Sequence, residues 1–480
     1  MTMKTQLIAL LLASGIVTGC AIGPNYQRLT ITPPETYRGQ VEAPEAASLA
    51  DLPWWEVFRD DKLKELIEEA LKNNYDLRIA AARVEQAQAL AGATRAEFFP
   101  QVGYEGGAGR TQGAIQFQGF SSAAVNVFGG AFTMSWELDV WGKIRRANEA
   151  AFADLFASEE FRRGVVLSLV SEVARAYFDL LELDLELDIA RRTTESFQQT
   201  LTLFTQRLQM GVASKLETAR AEASLASTAA TIPNLERQIV AKENQISILL
   251  GRSPAAIPRG TPLVDQVFPP ETPAGLPSQL LERRPDIQQA EQTLIAANAR
   301  VGVAKAGFLP TIGLTGLRGG RSDQLEDIVK GSASIWTIAG GLAGPILQGG
   351  LIYENYQVAI AQWEQTKLQY EQSVLTALKE VSKALTDQQK LVEVQKEQAR
   401  AVTALQESVR LATLRYTGGF ASYYEVIEAQ QQLFPAENAL AQTQRDRLAT
   451  VVQLYKALGG GWSAYTTAPE LPQLWHVVLP

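Results

Sequence analysis

Between residues 63 and 96 apolar side chains recur at intervals of three and four, the spacing that gathers them on one face of an α-helix. Asp76 is placed to cap a second helix inside this stretch, and Phe98-Phe99-Pro100 ends it. The period then switches. Over residues 98–141 glycine becomes frequent and charge nearly vanishes, while Val102 and Tyr104, then Phe132, Met134, Trp136 and Leu138, alternate with small or polar residues. That alternation predicts two strands flanking a loop rich in glycine, serine and glutamine. From residue 142 to 210 the helical period returns, carried by Val166, Leu169, Val173, Tyr177, Leu180 and Leu187, with no proline in the run. At about 1.5 Å per residue it predicts a rod roughly 100 Å long. Met210-Gly211-Val212-Ala213-Ser214 turns the chain, and a return helix capped by Ser214 runs back to residue 250.

The second half repeats this order. Residues 76–103 align without a gap on residues 286–313, with nine identities in twenty-eight that include Asp76 on Asp286, Gly92 on Gly302 and Pro100 on Pro310. Beyond residue 142 the offset becomes 208 and pairs Arg207 with Arg415, Gly211 with Gly419, Ser214 with Ser422 and Leu250-Gly251 with Leu458-Gly459. A strand hairpin is expected over about residues 308–347, its second strand reaching from 335 to 347, with a polar loop near 321–330. A long helix over 350–417 and a return capped by Ser422 follow. A unit of about 200 residues is too long for a solenoid repeat and reads as a duplicated domain. The chain thus divides into a first repeat at 63–251, a connection at 252–285, a second repeat at 286–459 and a tail at 460–480.

Lengths turn these elements into an architecture. A return helix of about 37 residues spans roughly 55 Å and a helix over 76–96 roughly 30 Å, so the two stacked end to end nearly match one long rod. The connection would band the rods at mid-height. Strands leaving from the end that carries the short helices, with aromatic residues near their ends and little charge between, fit a lipid-facing barrel wall, although an ordinary soluble hairpin also satisfies the alternation. Four strands cannot close a membrane barrel, whose smallest natural form has about eight. Either several chains share one barrel or the strands lie outside the membrane.

A net charge of −8 and the lack of a basic stripe argue against a nucleic-acid partner. Beyond residue 20 no run approaches the roughly eighteen apolar residues of a membrane-spanning helix. Residues 1–19, with Lys4, an apolar run over 7–12 and small residues after it, have the form of a secretory signal. Its end, Val17-Thr18-Gly19-Cys20, resembles the bacterial lipobox, which makes Cys20 the expected lipidated first residue of the mature chain, and Ala21 after it resembles an outer-membrane sorting signal. Cys20 is the only cysteine, so no intrachain disulfide can form. Residues 20–62, rich in proline, glutamate, alanine and threonine up to residue 52, are expected to run extended along the surface.

The chemistry of catalysis is missing. The only histidine is His476, in the tail, which excludes the common His and Cys metal sites and leaves no Ser-His or Cys-His system. Gly106-Gly107-Ala108-Gly109 lies in a strand region and lacks the lysine and helix of a phosphate loop. The chain is expected to be no enzyme and to need no cofactor beyond the lipid on Cys20.

Several motifs together carry a resemblance. Cys20 followed by Gly23-Pro24-Asn25-Tyr26, the pair Trp54-Trp55, Asn74-Tyr75-Asp76-Leu77, Trp136-Glu137-Leu138-Asp139-Val140-Trp141-Gly142, Arg284-Pro285-Asp286-Ile287 and Arg415-Tyr416-Thr417-Gly418-Gly419 resemble the lipoprotein branch of the TolC-like outer membrane factors, the OprM-type efflux channels. The resemblance covers essentially the whole mature chain. It implies an α+β membrane protein: a homotrimer with a long α-helical barrel in the periplasm and four membrane strands per chain in a shared twelve-stranded β-barrel, lipid-anchored in the bacterial outer membrane. It also implies partners, a periplasmic adaptor and an inner-membrane pump of the resistance-nodulation-division type. The duct would be passive and serve efflux; the alternatives are a duct for protein secretion and a lipid-anchored periplasmic rod without a pore.

In that family the two helical turns form the periplasmic tip, which closes the tunnel and meets the adaptor. By position these are residues 207–214 and 415–422, so Arg207, Met210, Gly211 and Val212, with Arg415, Gly418, Gly419 and Phe420, are the expected adaptor contacts. Tyr416 matches a tyrosine of the family's gate; Tyr424 stands where close relatives carry a leucine that rings the constriction, and Glu428 where they carry an aspartate. The repeat adds one expectation of its own. Arg220 falls on Glu428 under the 208 offset, so equivalent places on the two hairpins bear opposite charges, and pairing between them would help hold neighbouring hairpins closed.

Overall fold

The computed structural model describes residues 21–39, 49–52, 57–112, 124–268 and 275–460. The expected signal, Cys20, Trp54-Trp55 and His476 lie outside the described residues. Helix α1 (Asp61–Asn73) is followed by α2 (Tyr75–Ala96). The cap between them differs from the sequence expectation. Asn74, not Asp76, takes the N-cap: its Oδ1 accepts the Leu77 N–H at 3.0 Å while its Nδ2 donates to the Leu249 carbonyl at 2.9 Å. Asp76 sits in the first turn, where a carboxylate favours the positive end of the helix dipole.

Strands β1 (Gln101–Thr111) and β2 (Val125–Leu138) come next, then α3 (Lys143–Gln209), a continuous helix of 67 residues. The return is broken into α4 (Lys215–Ala229) and α5 (Thr231–Leu249), where the sequence reading expects one helix. Pro233 is the reason: its ring clashes with the carbonyl four residues earlier, at Ala229, where α4 stops. Short α6 (Leu280–Arg283) leads to α7 (Pro285–Ala306), strands β3 (Thr311–Ser322) and β4 (Ser334–Ala343), the 67-residue α8 (Leu351–Thr417) and α9 (Tyr423–Ala457), which absorbs Pro435 without a break. β4 ends at Ala343, short of the expected 347, because Gly344-Pro345 cannot continue the ladder.

The four strands form one antiparallel sheet in the order β1-β2-β3-β4, so the two repeats join edge to edge through β2 and β3. Its register puts Val102, Met134 and Ile338 on one face with Tyr104, Phe132 and Trp336, and Gly103, Thr133, Thr315 and Thr337 on the other. Among the described residues the outer edges of β1 and β4 are unpaired.

The main core sits part-way down the rods, where α1, α3, α5, α7, α8 and α9 meet around Leu63, Tyr177, Ile246, Ile287, Val381 and Tyr455. Asp60 ties the connection to it. Its carboxylate caps α1 and accepts from the Tyr177 hydroxyl at 3.0 Å, Thr261 N–H at 3.1 Å and Gln266 Nε2 at 2.9 Å. Residues 21–39 run along the outside, from Ile22 N–H on the Trp141 carbonyl (3.0 Å) to the Arg38 carbonyl, which accepts from Ser382 Oγ (2.9 Å). Gly23, at φ +109°, crosses α7 at Gly302 so closely that a Cβ on it would lie 2.4 Å from the Gly302 Cα.

Candidate functional site

At the end of each hairpin remote from the sheet, two glycine turns reverse the chain with the same geometry. In the first, Gly211 N–H donates to the Leu208 carbonyl and Val212 N–H to the Arg207 carbonyl, both at 2.9 Å, and Gly211 adopts φ +77°. In the second, Gly419 N–H donates to the Tyr416 carbonyl at 3.0 Å and Phe420 N–H to the Arg415 carbonyl at 2.9 Å, again with φ +77° at Gly419. These are Schellman stops, which satisfy the last helix carbonyls and need a left-handed residue that glycine supplies without strain. The duplication therefore extends to individual hydrogen bonds.

The cap residues then diverge. Ser214 and Glu217 form a reciprocal capping box, with Ser214 N–H donating to Glu217 Oε2 at 2.7 Å and Glu217 N–H to Ser214 Oγ at 3.3 Å. Ser422 occupies the equivalent N-cap of α9, but its side chain makes no capping hydrogen bond, contrary to expectation. Glu425, the counterpart of Glu217, is drawn instead to Arg415, 3.0 Å away.

Where the turns lie side by side, a small core joins the hairpins. Phe204 of α3 is fully buried between Tyr423 and Tyr416, with ring centroids at 3.9 and 5.7 Å, and Ala221, Ala412, Val426 and Ile427 close the cluster. Arg207 lies 4.9 Å over the Tyr416 ring, a cation–π contact across the seam. Burial pushes the Tyr423 hydroxyl up to about 12 and raises Tyr416 despite the nearby Arg207, so both phenols are neutral at physiological pH.

The structure brings Arg207, Tyr416, Arg220 and Tyr424 to this seam. Arg220 does not meet Glu428: among the described residues no ion pair joins them, and the guanidinium lies 6.0 Å over the Tyr424 ring. Glu428, one helical turn further along α9, is exposed. Met210, Val212 and Phe420 project from the turns into solvent, Phe420 being 82% exposed. Sequence reasoning missed Phe204 and Tyr423. The available signal was the 208 offset, which sets Phe204 on Ala412, a large residue against a small one at one level of the cluster.

Higher up the seam the contacts are polar. Gln430 Nε2 donates to Ser196 Oγ at 2.9 Å and Gln431 Nε2 to Ser224 Oγ at 3.2 Å. Arg445 of α9 pairs with Glu182 at 2.8 Å and Asp179 at 3.4 Å on α3, and Lys242 of α5 reaches Asp179 at 3.1 Å. Burial, opposed by Arg445 and assisted by Glu186 and Asp179, pushes the Glu182 carboxyl up to about 7. No group of metal-ligating side chains occurs among the described residues, and no described helix is long and apolar enough to cross a membrane.

The chain matches the family model described as outer membrane efflux protein twice, over residues 66–252 and 276–460. It is 34% identical over 451 residues to the cation efflux system protein CusC of Escherichia coli O6:H1, covering 93% of this chain and 96% of that one. It is 32% identical over 488 residues to the toluene efflux pump outer membrane protein TtgF of Pseudomonas putida, covering 98% and 100%. The structure of the MtrE outer membrane channel of Neisseria gonorrhoeae in its open state superposes with a TM-score of 0.83 at 29% identity, over 92% of this chain and 99% of that one. The chain belongs to the outer membrane efflux protein family, with that family's fold: a long helical barrel and four membrane strands per chain, which three chains close into one twelve-stranded β-barrel.

Proposed function

We propose that this outer-membrane efflux duct is passive, is closed at rest by the hairpin seam, and opens there when a periplasmic adaptor engages the turns and couples it to an inner-membrane pump of the resistance-nodulation-division type. Cys20 carries the lipid anchor. What supports this is Ala21, which lies against Gly142 at the strand–helix junction, beside the sheet. The observation that carries the reading is the aromatic seam of Phe204, Tyr416 and Tyr423, a separate small core located where the hairpins end.

Arg207, Tyr416, Arg220 and Tyr424 act as the gate, with Glu428 presenting charge beside it. Their contacts are edge-on aromatic and cation–π pairs, each contributing about 0.5 to 1.5 kcal/mol. A few such pairs hold a closed state that a docking protein can still overcome. Arg415, Gly418, Gly419 and Phe420, with Met210, Gly211 and Val212, form the docking surface, in which rigid glycine turns present three exposed apolar side chains.

Arg220→Cys with Tyr424→Cys, bridged by a short bifunctional thiol-reactive reagent such as a bis-methanethiosulfonate, tests this in a chain whose one native cysteine is acylated. Bridging is expected to abolish efflux from cells, and a cleavable reagent to restore it on cleavage. Undiminished efflux by the bridged trimer would show that the seam does not open during transport.

A further inference from the structure

Up to the row of Tyr104, the sheet register leaves one charge on the lipid side of the barrel; Arg110, on the same face, lies six residues further along β1. On the face that carries Val102, Met134, Ile338 and Leu342, the cross-strand row Tyr104–Phe132–Arg318–Trp336 runs through all four strands. Its aromatic members are open to the surroundings, Tyr104 at 87% and Trp336 at 73% exposure. The opposite face is mostly small or polar, with Gly103, Ser135, Thr133, Thr315 and Thr337 beside Leu317 and Ile335, and carries no aromatic ring in these rows, which marks it as the lumen and the aromatic face as the lipid contact. Between the row of Ile312 and that of Arg318, Arg318 is the one charged residue on the lipid face among the described residues.

Height along the strands says what Arg318 meets. The helices join the sheet at Gln101, Leu138, Thr311 and Ala343, so Trp136, Phe98 and Phe308 mark the periplasmic girdle. Eight residues separate Pro310 from Arg318, about 27 Å along a strand at about 3.4 Å per residue and roughly 20 Å of height at the usual barrel tilt. That is close to the roughly 25 Å apolar band of such barrels, so the Tyr104–Phe132–Trp336 row is the outer girdle, level with the headgroups of the outer leaflet. Arg318 is exposed and has no ion-pair or hydrogen-bond partner among the described residues. The β1–β2 loop over 113–123 contributes no acidic residue; of the acids between β3 and β4, Asp327 pairs with Lys330, and among the described residues neither Asp323 nor Glu326 forms an ion pair with Arg318.

An unpaired guanidinium at a membrane interface, framed by aromatic rings, recognises an anion whose apolar part lies beside it. Its planar fork takes two phosphate oxygens at once, and the rings hold the acyl chains below. We propose that Arg318, with Trp336 and Phe132 as its walls, binds the phosphorylated headgroup of an outer-leaflet lipid, one per subunit. The inference rests on the barrel reading of the sheet.

The test uses the full-length trimer in phosphatidylcholine nanodiscs doped with bisphosphorylated lipid A or with its dephosphorylated form, and counts retained lipid by native mass spectrometry. Up to three phosphorylated lipids per trimer are expected on the wild type, with at least tenfold lower retention on Arg318→Gln and intermediate retention on Arg318→Lys. Millimolar inorganic phosphate should not displace the lipid; displacement would reassign the site to free phosphate and overturn the proposal. Equal retention on wild type and Arg318→Gln, or equal retention of the dephosphorylated lipid, would also overturn it. Ion conductance of the same wild-type preparation is recorded in parallel, so that loss of the barrel reading and loss of the lipid site are told apart.

Discussion

Phe204→Ala is the sharpest probe of the tip. The side chain is fully buried, its ring centroid 3.9 Å from that of Tyr423 and 5.7 Å from that of Tyr416, so truncation removes the centre of a cluster contributed by both hairpins. A buried Phe→Ala change costs about 3 to 5 kcal/mol, the lower end applying where neighbours can collapse into the space. At a tip with exposed turns the lower end is appropriate. If the cluster exists only when the hairpins are together, about 3 kcal/mol lost from the closed state alone lowers the closed-to-open ratio by about 100-fold. Single-channel recording in planar bilayers reads this as a rise in conducting trimers at low voltage. Leu448→Ala is the companion change: Leu448 is 3% exposed in the mid-height core, and its truncation costs a comparable 2 to 5 kcal/mol of stability by the usual range, ~3 kcal/mol being typical. It should lower the unfolding temperature without altering conductance. Equal conductance gains in both variants, or a Phe204→Ala variant that melts earlier yet conducts as before, would refute the gating role of the cluster.

Other perturbations address the supports of the duct. Arg284 is buried against the partly exposed Asp286 at 2.6 Å and Glu380 at 2.8 Å and the Ala457 carbonyl at 3.0 Å, so Arg284→Ala, by removing the buried guanidinium and leaving that carbonyl without its donor, should cost about 1 to 3 kcal/mol in denaturant titration, and Arg284→Met less. Glu182 binds its proton more tightly in the folded seam, at about 7, than its ordinary carboxylate value allows in the unfolded chain. Its contribution is therefore full at low pH and is lost as pH rises through about 7, and unfolding temperatures at pH 5 and pH 8 should converge in Glu182→Gln relative to wild type. Gly419→Ala meets no atom within 4 Å but retains φ +77°, so its cost is the backbone strain alone, about 1 to 2 kcal/mol, visible as faster proteolysis at the turn. Gly302→Ala would place a Cβ 2.8 Å from the Ile22 carbonyl and 2.9 Å from the Arg146 side chain, and should release residues 21–39 to protease while leaving the sheet intact.

What the sequence disclosed depended on how far each signal reaches. Periodicity reaches along a whole element, so the two 67-residue helices, the strands and the turns are legible from Val166, Tyr177, Met134 or Gly211 alone. Caps depend on a choice among neighbours. Asn74 displaced Asp76 because its amide both accepts from Leu77 and donates to Leu249, a partner 175 residues away that no local pattern reveals. Ser422 has the sequence of a capping box with Glu425, yet Arg415 captures the glutamate. The site divides in the same way. The turn residues were legible because glycine at positive φ is a local requirement, whereas Phe204 and Tyr423 required knowing that α3 and α9 touch.

The proposed gate coincides with places where the two halves of the chain differ. Both turns use the same Schellman bonds, so the stops cannot favour one hairpin's movement over the other's. Three departures from equivalence, by contrast, fall on the surface between hairpins. Phe204 against Ala412 lets one ring enter the space its counterpart leaves; Arg207 crosses to Tyr416, while its counterpart Arg415 folds back onto Glu425; Arg220 covers Tyr424, the place of Leu216 in the first half. A symmetric pair of hairpins would present two like-charged arginines to one another along this line. Turning one inward to its own hairpin and the other outward to an aromatic ring removes that repulsion and gives the two cation–π pairs a direction, the first hairpin supplying their cations and the second their rings. A reciprocal exchange of Arg207 and Tyr416 should preserve the pair and the closed state, whereas Arg207→Tyr alone, which removes the cation, should raise conductance; equal leak in the exchanged and single variants would mean that the direction of the seam carries no energy.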